Sequence, residues 1–201
     1  MSFNIDIALN VNGELANQIE DHNAAHSAWQ ADSASLKALR TGLLNADPLG
    51  IEPSGLSASR EKLTTDYLAL LQREAKLAES ALSLLVELGP LAEKSREDAE
   101  ANAAKVLEKV IAKMAKAGIT EQSMPGWGHN EAAARHQLEY QAAQSSDYRE
   151  AFGFIEGAKL TIREIGEQRR AITEALKAIR EDAKRLVHKV IAGDSAGLQL
   201  T

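Results

Sequence analysis

The most regular feature of the sequence is a series of apolar residues in its last quarter. Between Ile155 and Val190 these residues recur at alternating spacings of three and four, and only Arg169 interrupts them. Because an α-helix completes a turn every 3.6 residues, this spacing places the apolar side chains on one face. A helix from Asp147 to about Ala192 would hold about 45 residues and be roughly 68 Å long. The series comprises Ile155, Ala158, Ile162, Ile165, Ile172, Leu176, Ile179, Ala183, Leu186 and Val190.

A second apolar series repeats every seven residues, at Leu63, Leu70, Leu77 and Leu84. A heptad row is typical of long helices that pack at a shallow angle. Only 4% of the residues are aromatic although 44% are hydrophobic, so alanine supplies much of the apolar content, which favours closely packed helices. We therefore predict an all-α protein, an elongated antiparallel helical bundle with coiled-coil character and four or five helices.

Turn-forming residues divide the chain into helical segments. The segments at 45–57 and 118–130 are rich in Gly and Pro and are predicted to be loops. Asn130 is a candidate N-cap for the helix that follows the second loop. Between two further helical segments lies Gly89-Pro90, where a tight hairpin is the favoured prediction and a kinked continuous helix is the alternative.

The N-terminal residues alternate between apolar and polar side chains, with Phe3, Ile5 and Ile7 among the apolar ones. A period of two predicts extended backbone. Since a lone strand has no hydrogen-bond partner, we expect either an arm laid along a helical groove, which we favour, or a short strand paired elsewhere. The predicted organisation is an N-terminal arm or strand over 1–13, a single helical bundle domain over 14–192 and a C-terminal tail over 193–201.

The charges are unevenly distributed around a net value of −6. Residues 1–59 carry seven acidic and two basic side chains, whereas residues 163–189 carry eight basic and five acidic ones. A basic segment can bind nucleic acid, but carboxylates interspersed within it compete with phosphate groups. Nucleic-acid binding through 163–189 therefore ranks third among the functions that we consider.

Targeting signals are not visible in the sequence. No basic region precedes an apolar run near the N-terminus, and no apolar stretch approaches the roughly 20 residues that span a bilayer. We therefore expect a cytoplasmic protein that does not bind membranes, with export by a signal-less route as the alternative. The chain has no cysteine, which excludes disulfides and thiolate metal sites.

The histidine pair His22 and His26 has the spacing of a helical metal site, because residues four apart share a helix face. His136 could supply a third ligand, which makes a metal-binding or catalytic bundle built on these three histidines the second hypothesis. The simplest interpretation is instead a pair of solvated histidines on a polar face. Phosphate loops, nucleophile elbows and dinucleotide fingerprints do not occur in the sequence, so we expect no cofactor and no catalytic residues.

Two features favour binding to proteins. Trp127, with Met124 and His129, lies in the second loop, where a large flat side chain can anchor a partner or fold back onto the bundle end. The last helix exceeds the roughly 45 Å estimated for the earlier helices, so it either bends or overhangs the bundle. If it overhangs, its apolar seam is predicted to make the protein a homo-oligomer. The first hypothesis is therefore a non-enzymatic helical scaffold or adaptor protein that self-associates through its long C-terminal helix and engages a protein partner of unknown identity. The predicted self-association residues are Ile165, Ile172, Ile179 and Leu186.

Overall fold

The computed structural model describes residues 3–45, 53–125 and 130–191, and these ranges contain four α-helices. No strand occurs within the described ranges, and the prediction of an all-α helical bundle is confirmed. A short 3₁₀ helix at Glu121–Ser123 lies between the second and third helices. The helices are α1 (Glu14–Leu44), α2 (Pro53–Lys116), α3 (Glu131–Ala143) and α4 (Ser146–Ile191).

The contacts divide the chain into two compact units. Unit 1 comprises Met1–Val86 and Glu167–Thr201, and unit 2 comprises Glu87–Gly166. Because α2 and α4 each contribute residues to both units, this division does not decide whether residues 14–192 form the single domain predicted above. The predicted tail at 193–201 lies outside the described residues.

Unit 1 combines α1 with the first part of α2 and the last part of α4. The heptad leucines Leu70, Leu77 and Leu84 are buried, as their seven-residue spacing predicts for a helix that faces a core. Two ion pairs connect neighbouring helices at the surface, Arg73 with Asp32 between α2 and α1 and Arg180 with Glu79 between α4 and α2. The other large apolar side chains buried in this unit include Trp29, Leu36, Leu71, Leu85, Ile172, Leu176, Ile179 and Leu186.

One position of the α2 seam in unit 1 is charged. Glu74 is half-buried, and burial raises the pKa of its carboxyl, an effect to which the nearby carboxylate of Asp182 adds and which Lys37 opposes. Burial also raises the pKa of Tyr67, again with a contribution from Asp182. The core of unit 1 therefore contains a partly buried polar cluster beside its leucines.

Unit 2 combines the last part of α2 with α3 and the first part of α4. One cluster packs Ala103 of α2 against Ala151 and Ile155 of α4, with Ala99, Val106 and Tyr148 around it. The small alanines allow the two helices to approach closely. A second cluster joins Met124 to Ala134 and Leu138 of α3, and Ile111 and Met114 of α2 pack against it.

The predicted helix ends in unit 2 are confirmed at residue level. Gly118 follows α2 at φ +81°, a conformation that glycine adopts without strain, and the amide of Ile119 donates to the carbonyl of Met114 over 2.9 Å. Asn130 is the N-cap of α3, and its Oδ1 accepts a hydrogen bond of 3.0 Å from the amide of Ala133.

The hairpin predicted at Gly89-Pro90 is wrong, because α2 continues through both residues. Proline removes one backbone donor and crowds the preceding turn, but it does not force the chain to reverse. Buried residues recur at helical spacing on both sides of it, so packing outweighs the local penalty. These residues are Ala81, Leu84, Leu85, Leu88 and Ala92.

No helix in the described part of the chain is long and apolar enough to cross a membrane.

Candidate functional site: a groove that holds the N-terminal arm

Residues 3–11 form an arm outside the helices, and its first residues lie against α1. Phe3 is fully buried and Ile5 is 4% exposed, whereas Asn4 and Asp6 between and after them are exposed. The alternation seen in the sequence therefore corresponds to alternate burial, and the described arm is not a strand. We call the surface of α1 that receives Phe3 and Ile5 the arm groove.

Two histidines of α1 bind both polar backbone groups of Phe3. The amide of Phe3 donates to Nε2 of His26 over 3.2 Å, and its carbonyl oxygen lies 2.8 Å from Nε2 of His22. The second nitrogen of His22, Nδ1, lies 3.1 Å from the hydroxyl of Ser80 on α2. The histidines are 4% and 2% exposed, so these bonds form away from bulk water.

A single asparagine binds the backbone of Ile5 in the same two-sided way. Oδ1 of Asn23 accepts from the amide of Ile5 over 2.9 Å, and its Nδ2 donates to the Ile5 carbonyl over 3.0 Å. The carboxamide thus takes the place that the peptide group of a neighbouring strand would occupy in a sheet. This pairing explains how a lone extended segment satisfies its backbone without a strand partner.

Aromatic rings form the floor of the groove. The ring of Phe3 meets that of His26 edge-on at a centroid distance of 5.9 Å, and His26 stacks on Trp29 at the same distance. Trp29 is itself fixed by a hydrogen bond of 3.2 Å from Nε1 to the carbonyl of Leu70 on α2. The groove is therefore held in shape by contacts that do not involve the arm.

The hydrogen bonds determine which nitrogen of each histidine carries a proton. His26 accepts from an N–H group at Nε2, so its own proton is on Nδ1. His22 faces a carbonyl at Nε2, so that nitrogen donates, and Nδ1 accepts from Ser80. Protonation of His26 at Nε2 would set one donor against another, because the Phe3 amide donates to that nitrogen.

The electrostatics agree with a neutral His26. Burial lowers the pKa of His26, and the neighbouring His22 lowers it further. The folded protein therefore binds this proton less readily than the unfolded chain does, whose histidine has the ordinary value of 6.5. Neutral His26 therefore contributes to the free energy of unfolding. This contribution is fully present above pH 6.5 and is lost as the pH falls through the lowered pKa.

We predict that acidification below pH 6.5 lowers the free energy of unfolding of unit 1, which urea titrations followed by tryptophan fluorescence would measure. His26→Gln is the matched variant, because a glutamine oxygen can accept from the Phe3 amide but does not titrate. It should be less stable at pH 7.5 and should lose less stability on acidification. Acidification stabilises the folded state through Glu74, because the pKa of Glu74 is raised. This contribution is the same in both proteins, so it cancels in the comparison. An equal acid loss in both proteins would contradict the assignment to His26.

The structure assigns His22 and His26 a different role from the one that their spacing predicted. They are not solvated on a polar face, since both are buried and bind the arm. His136 is exposed on α3 and belongs to unit 2. Within the described ranges, no group of three or more His, Asp or Glu side chains is arranged to hold a metal ion.

The predicted partner-binding residues have different outcomes. Met124 is buried in the second cluster of unit 2, between α3 and the end of α2, so its side chain serves the core instead of a partner. Trp127 and His129 lie outside the described residues, and their role stays a prediction.

The four predicted self-association residues are buried inside the chain, each less than 8% exposed. The overhang on which that prediction rested is also removed, because α2 contains 64 residues and α4 contains 46. A hairpin at Gly89-Pro90 would have divided α2 into two shorter helices, but α2 is continuous and longer than α4. Ile165, Ile172, Ile179 and Leu186 therefore act as core residues.

The basic segment 163–189 carries paired charges. A groove of about 580 Å³ between α2 and α4 in unit 1 has an apolar floor that includes Leu68 and Val187, and a rim of basic residues. Four basic side chains of the segment each lie within 4 Å of a carboxylate that competes with phosphate, and nucleic-acid binding by the segment stays a prediction. They are Lys177, Arg180, Lys184 and Arg185.

Sequence reasoning missed the groove although its two parts were visible. The alternating arm and the histidine pair were both recognised, but nothing in the sequence joined one to the other. Asn23, between the histidines, carried no signal of its own. An extended segment that lacks a strand partner, followed by a helix with polar side chains at positions 22, 23 and 26, is the combination that could have indicated it.

The comparisons with known proteins do not assign a function to the arm groove. No protein-family model matches the chain. The searches of curated proteins and of solved structures find no significant match either. Its function is therefore argued from its geometry.

Proposed function

We propose that the chain is a non-enzymatic helical adaptor that binds an extended segment of a protein partner in the arm groove. The observation that carries this proposal is the recognition of extended backbone by His22, Asn23 and His26. Side chains that bind amide and carbonyl groups accept any segment with the same backbone geometry, as other peptide-binding domains do through a sheet edge. The apolar sites occupied by Phe3 and Ile5 add side-chain selectivity.

The arm itself indicates what a partner segment must supply. Burial of one aromatic and one aliphatic side chain is worth about 2 kcal/mol each, and each backbone hydrogen bond adds about 1 kcal/mol. Ordering a flexible segment consumes much of that gain. We therefore expect an isolated segment to bind with a Kd of the order of 100 μM.

The attached arm competes with any partner for the groove. A segment tethered through a short linker has an effective concentration of the order of millimolar, so a partner segment must displace it. The adaptor is then closed when the arm is docked and open when it is released. A test of the proposal must therefore compare a chain whose arm occupies the groove with a chain whose arm does not.

A fluorescently labelled peptide with the sequence of residues 3–12 tests the proposal. Its anisotropy should rise saturably with the full-length Phe3→Ala chain, whose own arm no longer fills the groove. The wild-type chain is the matched control and should bind at least tenfold more weakly, because its arm competes. Circular dichroism establishes that the variant retains its helices. Absence of saturable binding to the helical variant, or equal binding to both chains, would disprove the proposal.

Self-association stays part of this proposal, but by a route other than the seam of α4. The buried positions of Ile172 and Ile179 give the seam no free surface. A scaffold that assembles with copies of itself would therefore use exposed residues or the arm.

A further inference from the structure

We infer that the arm groove also accepts the arm of a second copy of this chain, so that two copies exchange residues 3–11 reciprocally at high concentration or when the closed arrangement is weakened. The inference rests on the proposed function and names the partner of the same groove. Its first support is the fit on the page: Phe3 is fully buried, and both polar backbone groups of Phe3 and of Ile5 are bound. An arm supplied by a second copy makes every one of these contacts unchanged.

The second support is the way in which the arm is attached. The hydrogen bonds and ring contacts of Phe3 and Ile5 described above come from residues 22–29 of α1, with Ser80 acting through His22. Asn23 lies about 13 Å along α1 from Glu14, at 1.5 Å per residue. The eight residues between Ile5 and Glu14 can span roughly 27 Å when extended. The linker is therefore about twice as long as the distance along α1 that separates its end from the groove in its own copy.

The third support is a turn in the linker that can open without breaking a helix. Leu9 donates to the carbonyl of Ile7 over 2.7 Å, and Gly13 precedes α1 at φ +70°. Only glycine adopts that region readily, so Gly13 is the residue that permits the closed arrangement. A β-carbon there would meet no atom within 4 Å, and a substitution would act through the backbone conformation alone.

Exchange also gives a closed assembly. If the arm of each copy occupies the groove of the other, the two contacts are equivalent and related by a two-fold axis, which leaves no groove free to add a third copy. The contacts in the groove are the same in the closed monomer and in the exchanged dimer. The equilibrium between these two states is therefore set by the linker and by the protein concentration. The tethered arm has an effective concentration of the order of millimolar, so the wild-type chain should dimerise only near that concentration.

The hinge substitution Gly13→Ala tests the inference. Alanine disfavours the left-handed conformation by about tenfold per copy, so the association constant of the dimer should rise about a hundredfold. Light scattering on a sizing column should then find the variant dimeric and the wild type monomeric at about 100 μM. Gly42→Ala is the matched control, because Gly42 lies within α1, is not at positive φ and has open space around it. It should remain monomeric like the wild type.

Two further measurements show whether the arm forms the dimer. The double variant Gly13→Ala/Phe3→Ala should return to the monomer, since its arms cannot dock in either arrangement. The chain has no cysteine, so Asp6→Cys and Gln30→Cys can each be labelled alone in the Gly13→Ala background. Copies labelled with a donor fluorophore on the arm, mixed with copies labelled with an acceptor on α1, should show energy transfer. This measurement stands even if the Phe3→Ala variant does not fold.

A Gly13→Ala chain that stays monomeric at about 100 μM, a dimer that survives Phe3→Ala, or mixing without energy transfer would overturn the inference. If the labelled peptide nevertheless binds the Phe3→Ala chain, the adaptor function stands and only its partner has been misassigned. If the peptide does not bind, the proposed function falls independently of the outcome at Gly13.

Discussion

Replacing Phe3 with alanine should lower the free energy of unfolding of unit 1 by about 1.5 kcal/mol, because the arm then undocks, and a tethered segment with a Kd of the order of 100 μM is favoured only about tenfold in the docked state. The effect comes from the burial of Phe3, which is fully buried against the rings of His26 and Trp29. Urea unfolding followed by tryptophan fluorescence measures the change, because Trp29 is in contact with the substituted ring.

The matched control is Asp6→Ala, which alters an exposed residue of the same arm. It should change the free energy of unfolding by less than about 0.5 kcal/mol. Trp127→Phe in both backgrounds leaves Trp29 as the sole tryptophan and assigns the signal to unit 1. A loss below about 1 kcal/mol for Phe3→Ala would mean that the arm does not contribute its burial to the stability of the unit.

The arm groove shows how a helix can stabilise an extended segment. A backbone amide or carbonyl that is buried without a partner costs more than a hydrogen bond gains, so a lone strand normally requires a sheet. On α1 the side chains of His22, Asn23 and His26 supply these partners. A docking site of this kind depends on side chains, and its affinity can be altered one residue at a time.

The start of α3 and the extent of α4 could be predicted from the sequence because their signals are local. Apolar spacing fixes the buried face, and residues such as Gly118 and Asn130 mark where a helix stops or starts. The seven-residue row of leucines likewise predicted which face of α2 is buried.

The continuation of α2 could not be predicted in the same way. Gly89-Pro90 is locally a strong signal for a helix end. Whether it ends a helix depends on packing along both flanks, and the buried residues Leu85, Leu88 and Ala92 keep their helical spacing across it. The error at this position also produced the incorrect overhang of the last helix.

The site was less predictable than the fold because its contacts join residues distant in sequence. His26 binds Phe3 across 23 positions, and His22 binds Ser80 across 58. Such bonds between a side chain and a backbone group, or between two side chains, create no periodic pattern. The metal hypothesis rested on the same pair of histidines, and in the structure the groups that approach them are the backbone amide and carbonyl of Phe3 and the hydroxyl of Ser80.

Replacing Ile172 with alanine should lower the free energy of unfolding by about 2–5 kcal/mol, through lost burial and the cavity that remains. Ile172 lies in the middle of the α4 seam and is 4% exposed. A residue buried in its own chain contributes equally at every protein concentration. A residue at a subunit interface contributes a stability that grows with concentration. Urea unfolding at two concentrations a hundredfold apart therefore tests whether the seam is core or interface.

Leu160→Ala is the control for this comparison, because Leu160 lies on the same helix and is 58% exposed. If the seam is core, Ile172→Ala loses the same free energy at both concentrations and Leu160→Ala loses little at either. If α4 mediates self-association through its seam, the loss at Ile172 must grow with concentration, and the wild-type midpoint must rise as well. A concentration-dependent loss confined to Leu160 would point to a third arrangement, in which the outer face of α4 contacts another copy and the seam stays inside.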